Sequence, residues 1–194
     1  NIFRFNFDLD FYSNLLKHPF VLLVTTFALT SVVGQFISNQ YQKKTKEKDI
    51  MFSQMNANYL HAKEVYSDLS SLMDRRIYLS KKVTWALKDR KRGVGDKVDN
   101  MFKIFNDFLY EWNNALNRGI SMLELYYGKE AKDLFEKRIC ADFNWIGMII
   151  RCHVLDLPEH KRPLPELEYS INLTSARVYK LNKLLLDKMK RRDF

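Results

Sequence analysis

The sequence predicts an all-α protein: one N-terminal transmembrane helix followed by a cytoplasmic antiparallel bundle of about four long helices. Three observations predict it. A run of twenty residues, 19–38, carries no charge; apolar residues beyond it recur at steps of three and four; and six Gly with four Pro in 194 residues leave little material for the turns of an all-β chain. Apolar residues at 46% and charged ones at 28% exclude a disordered chain, and the length suits one domain plus an anchor. The expected organisation is an outer-face interfacial segment (1–18), the transmembrane helix (19–38), a basic juxtamembrane stalk (39–50) and the cytoplasmic bundle (51–194).

The first segment places Phe3, Phe5, Phe7, Leu9 and Phe11 on alternate positions, with Arg4, Asn6, Asp8 and Asp10 between them. A period of two fits a short strand, but an aromatic-rich stretch beside a span reads better as an interfacial belt followed by a short helix at 10–17. The chain begins at Asn1 rather than Met, which leaves processing or residues further upstream open.

At about 1.5 Å per residue, the uncharged run PFVLLVTTFALTSVVGQFIS covers a hydrocarbon core of roughly 30 Å. A cleaved signal peptide is the alternative. The preceding flank, however, carries Asp8 and Asp10 with no basic n-region, and no small-residue cleavage site precedes Asn39, so a permanent anchor is expected. Lys43, Lys44, Lys46 and Lys48 follow the span, against Arg4 and Lys17 before it, which puts the C-terminal side in the cytoplasm of a single-pass inner-membrane protein. Cys140 and Cys152, in apolar helical sequence without metal-ligand spacing, read as reduced core thiols and agree with that side.

Wound at about 100° per residue, the span has two faces: Thr30, Ser31, Gly34, Gln35 and Ser38 fall in one half, and Leu22, Leu29, Val32, Val33 and Phe36 in the other. Thr26, Thr30, Gly34 and Ser38 form a small-xxx-small series that lets helices approach closely. The face is expected to mediate association or to line a pore; the alternative is that its hydroxyls bond back to their own helix and Gln35 sits near the interface.

Past the lysines, Phe52, Met55, Tyr59, Ala62, Tyr66, Leu69 and Met73 alternate steps of three and four, and Leu72, Leu79, Val83 and Ala86 continue with a shift. This predicts a helix over 47–89 whose seam Arg76 interrupts. Asp96 is placed to cap a second helix with a seam of Val98, Phe102, Phe105, Leu109, Trp112, Leu116, Gly119, Leu123 and Tyr126, which Gly128 ends. A third, 129–153, buries Phe135, Ile139, Phe143, Ile146 and Ile150, and a Pro-containing run at 158–165 precedes a fourth with Leu167, Ile171, Thr174, Val178, Leu181 and Leu185. Short connections and narrow stripes make an antiparallel bundle the economical arrangement.

The net charge of +9 is unevenly placed. If the first bundle helix leads away from the bilayer, Lys88, Arg90, Lys91, Arg92 and Lys97 meet His160, Lys161 and Arg162 at the distal end. Lys188, Lys190, Arg191 and Arg192 return to the lipid headgroups, where each basic residue gains about 1 kcal/mol. The distal patch is a candidate for RNA or an acidic protein partner, with plain solvation as the alternative. No phosphate-loop, dinucleotide, hydrolase or metal motif occurs, so no cofactor and no enzyme activity are expected. RCHVLDLPEH, with Arg151, His153, Asp156, Glu159 and His160, is the one polar cluster resembling a site, although the helix dipole alone favours His at a C-terminus. In EWNNALNRG, Glu111, Asn114 and Arg118 share a face turned to a neighbouring helix.

An uncharged span, a lysine-rich exit and a helical domain with runs such as EWNNALNRGISMLELYYG resemble the small single-span membrane proteins of bacterial antiphage systems, such as the membrane accessory protein of type VI-B CRISPR loci. The resemblance implies oligomerisation into a membrane pore and a cytoplasmic domain similar to the HEPN ribonuclease bundle. HEPN nucleases place Arg four to six residues before His on one helix, and none of the four histidines here has an Arg at that spacing, so the resemblance carries the membrane role without the ribonuclease. The expected function is an oligomeric membrane effector or pore controlled by its cytoplasmic domain. The alternatives are a membrane-tethered scaffold and a degenerate nuclease.

Overall fold

A computed structural model describes residues 18–94, 97–158 and 162–191. The expected interfacial segment at 1–17, the Asp96 cap, and Glu159, His160, Lys161 and Arg192 lie outside them. The described elements are all helical: α1 (Pro19–Arg92), α2 (Val98–Leu134), a π-helical turn (Phe135–Ile139), α3 (Cys140–Val154) and α4 (Leu164–Arg191). The chain divides into two compact units, Asn1–Gln54 and Met55–Phe194.

In the first unit α1 starts at Pro19, where a missing N–H costs nothing because first-turn amides have no intrahelical partner. Val and Thr are mediocre helix formers in water, but in hydrocarbon every backbone group must be satisfied within the segment, which favours helix regardless of propensity. Between 18 and 54 every residue is exposed except Val21, which is half-buried. By length and composition α1 carries a stretch apolar enough to cross a membrane. The helix continues without a break through the lysine-rich 39–50.

In the second unit the helices alternate in direction. Ala62 meets Tyr127 and Arg75 meets Glu111 across α1 and α2; Ser70 meets Asn182 and Lys88 meets Glu168 across α1 and α4; Asp142 meets Arg177 across α3 and α4. Trp112 of α2 packs on Phe135 and Phe143, which closes the circuit of neighbours. All five apolar residues expected of the third helix and all six of the fourth are buried.

The seams of the first two helices differ from expectation in three places. Burial on α1 begins only at Ala62, with Phe52 67% and Met55 40% exposed. Arg76 does not interrupt the seam but lies inside it, 3% exposed. On α2, Phe108 and Tyr127 are buried, and Tyr126 is only half-buried.

Gly128 breaks α2 with φ 77° and ψ 176°, a conformation L side chains resist. Two groups stabilise the break. The Tyr127 hydroxyl donates to the Ala62 carbonyl at 2.6 Å, and the Lys188 ammonium donates to the Tyr127 carbonyl at 2.6 Å. The chain then enters the π turn, in which the Cys140 amide bonds to the Phe135 carbonyl.

Candidate functional site

The span face divides chemically. Thr25 donates to the Val21 carbonyl at 2.8 Å, Thr26 to Leu22 at 2.7 Å, and Thr30 to Thr26, so these hydroxyls are satisfied within their own helix. Ser38 accepts from Gln42 at 3.4 Å. Gln35 has no intrachain partner among the described residues, and Ser31, Gly34, Gln35 and Ser38 are all exposed. A Cβ built on Gly34 meets nothing within 4 Å. The face is therefore open, with one amide lacking an intrachain partner on an apolar helix.

A second polar group sits where none was expected. The Arg76 guanidinium lies 4.4 Å from the Trp112 ring centroid and 4.7 Å from that of Phe143, while its Nε and Nη1 find no hydrogen-bond partner. Burial lowers its pKa to about 10, and the neighbouring Cys140 thiol, pushed up to about 12 by burial, is partly held down by the same cation. No carboxylate faces it; the rings compensate part of the desolvation through cation–π attraction, worth about 2 kcal/mol in a dry site. Both cysteines are free and buried, as expected of core thiols.

At the end of the bundle formed by 87–94 and 153–164, Arg90, Lys91 and Arg162 surround a cavity of about 670 Å³ with His153 and Asp156. Arg90 is partly committed, since its Nη2 donates to the His153 carbonyl at 3.1 Å, and His153 Nε2 meets the Arg162 carbonyl. Lys88 does not join them, because it is half-buried and paired with Glu168. Arg92 and Lys97 are exposed. Of the tail, Lys190 and Arg191 are exposed, but Lys188 turns inward to the Tyr127 carbonyl and is no lipid-facing cation.

The polar cluster at 151–160 shows no catalytic constellation among its described members: Arg151 is exposed and His153 serves the loop carbonyl of Arg162. The described residues contain no group of three metal-ligating side chains. Glu111, Asn114 and Arg118 do face a neighbouring helix, across a groove of about 820 Å³ between α1 and α2. Glu111 pairs with Arg75 there at 2.7 Å. The acids that α1 adds, Glu64 and Asp68, escaped the sequence reading because only folding brings 64–68 opposite 111–118. Compared with models of protein families, with curated proteins and with solved structures, the chain matches none.

Proposed function

We propose that this chain is a single-pass inner-membrane protein with its C-terminal unit in the cytoplasm, acting without catalysis as a homo-oligomeric effector or pore, in keeping with its resemblance to antiphage membrane proteins. The observation that carries the reading is the wholly exposed apolar stretch at 19–38 with Gln35 unpartnered on it. Lipid accounts for the apolar surface. It does not account for the amide, which gains a partner only from water or from a second helix.

The test is the size of the full chain in detergent or nanodiscs together with membrane potential in expressing cells. Wild type is expected to be oligomeric and to depolarise cells. Gly34→Leu is expected to loosen the oligomer, and since the new side chain meets no intrachain atom, any loss reports on contact between copies. A monomeric wild type would end this reading.

One observation favours a second role, a tether for RNA or an acidic protein: the cavity between Arg90, Lys91 and Arg162. Replacing Lys91, Arg92 and Arg162 with Glu, while sparing the structural Arg90, should abolish such binding, and wild-type binding should fall steeply as salt rises.

A further inference from the structure

The groove between α1 and α2 has an apolar floor, including Leu69, Leu72 and Met122, and a rim bearing Glu64 and Asp68. Glu64 meets only His61, at 3.8 Å, and no ion pair holds Asp68. On the groove between the third helix and α4, the cations Arg138 and Lys180 line a smaller cavity of about 410 Å³, and Lys183 is exposed one turn further along α4. Lys137 there is already paired with Asp133 at 3.0 Å, whereas Arg138, Lys180 and Lys183 have no acidic partner among the described residues.

Two features of the fold relate these surfaces. Neighbours run α1, α2, α3, α4 and back to α1, so the α1/α2 and α3/α4 grooves lie on opposite sides of the bundle. The 3.0 Å bond from Asn182 to Ser70 sets Lys183 at the level of the α1 turn that holds Asp68. Acid and base therefore sit at one height, facing away from each other.

We propose that the α1/α2 groove receives the α3/α4 face of a second copy of this chain, with Glu64 and Asp68 meeting Lys180 and Lys183. This rests on the oligomeric reading above and adds its geometry. Copies tethered to one membrane share an orientation, so they meet side by side at equal height. Pairing the groove with itself would set Glu64 and Asp68 against their own images, whereas the head-to-tail contact places opposite charges together and, repeated by rotation, closes a ring.

The experiment uses the full chain in nanodiscs with two variants, Glu64→Lys/Asp68→Lys and Lys180→Glu/Lys183→Glu. Each alone is expected to self-associate about tenfold more weakly than wild type, because like charges then face each other. Mixing the two recreates an acid-base contact at every interface, as does combining all four substitutions in one chain, and both should restore wild-type assembly. Restoration by mixing also excludes misfolding as the cause of the loss. An oligomeric wild type whose assembly ignores the reversals, or losses that neither mixing nor combination repairs, would overturn the groove contact and leave the membrane oligomer standing. A monomeric wild type would overturn both.

Discussion

The stretch at 19–38 and the core of the second unit are both built from apolar side chains, yet they differ in what covers them. In the core, Trp112, Phe135, Phe143, Ile146 and Leu181 are buried by their own chain. In the stretch, Phe20, Leu23, Phe27, Leu29 and Val32 are each exposed by well over half. Each region also carries one awkward polar group. Arg76 is enclosed by rings from two other helices, whereas Gln35 has nothing beside it. The bundle therefore completes its own environment, and the apolar stretch is finished only by lipid or by other copies.

The strongest way to break the comparison is Trp112→Ala. It removes the ring that packs against Phe135, Phe143 and Arg76, and should cost about 3–5 kcal/mol of bundle stability while leaving membrane insertion unchanged. Denaturant melts of helicity beside a membrane-fractionation assay check both halves. Loss of insertion would mean that the two regions are not independent.

Arg76→Met tests the enclosed charge. An apolar residue of similar length there should leave the bundle unchanged or more stable, by up to about 4 kcal/mol, since a buried cation with two unsatisfied donors is replaced by ordinary packing. Strong destabilisation would show that the stacking on Trp112 and Phe143 outweighs desolvation.

Gln35→Leu tests the exposed amide, and the expected effect is smaller, about 0.6–2 kcal/mol per contact between copies. If the amide joins helices, oligomer size falls. If it lines a water path, size holds and depolarisation weakens as the constriction dewets. Neither change would reduce Gln35 to a lipid-facing bystander.

The smallest effect concerns Cys140. Its folded pKa of about 12 lies above the ordinary thiol value of 9, so the stability it contributes is complete below pH 9 and is lost as pH rises from 9 toward 12. Arg76 acts in the opposite direction, since its folded pKa near 10 lies below 12.5 and its penalty is relieved only above pH 10. Between pH 9 and 10 the thiol therefore dominates this pair. Stability should decline less in Cys140→Ala than in wild type over that interval, read by denaturant midpoints.

The fourth helix was fully legible because 167, 171, 174, 178, 181 and 185 keep one face through an uninterrupted helix. The second and third helices were less so. From Gly119 the chain takes steps of four through Leu123, Tyr127, Ala131, Phe135, Ile139 and Phe143, and a straight α-helix drifts away from one face along such a row. The insistence on alternating threes and fours selected Tyr126, whereas the chain keeps the row of fours by breaking at Gly128 and widening at the π turn. Arg76 was misread because its partners, Trp112 and Phe143, are remote in sequence. Within the candidate site, Gln35 and Gly34 were readable from spacing, but the inward turns of Lys88 and Lys188 depend on Glu168 and the Tyr127 carbonyl, which only tertiary structure supplies.

The π turn also sets the tolerance of this chain to changes in length. It accommodates one residue more than an α turn, so it acts as a phase shifter between 129–134 and α3. Deleting any one residue of 135–139 would return the turn to α geometry and rotate everything after it by about 100°. Phe143, Ile146 and Ile150 would swing out of the core, and Asp142 would leave Arg177. A single-codon deletion here would therefore disrupt more packing than most point substitutions, whereas the same deletion in the solvated 39–50 helix would remove no buried residue.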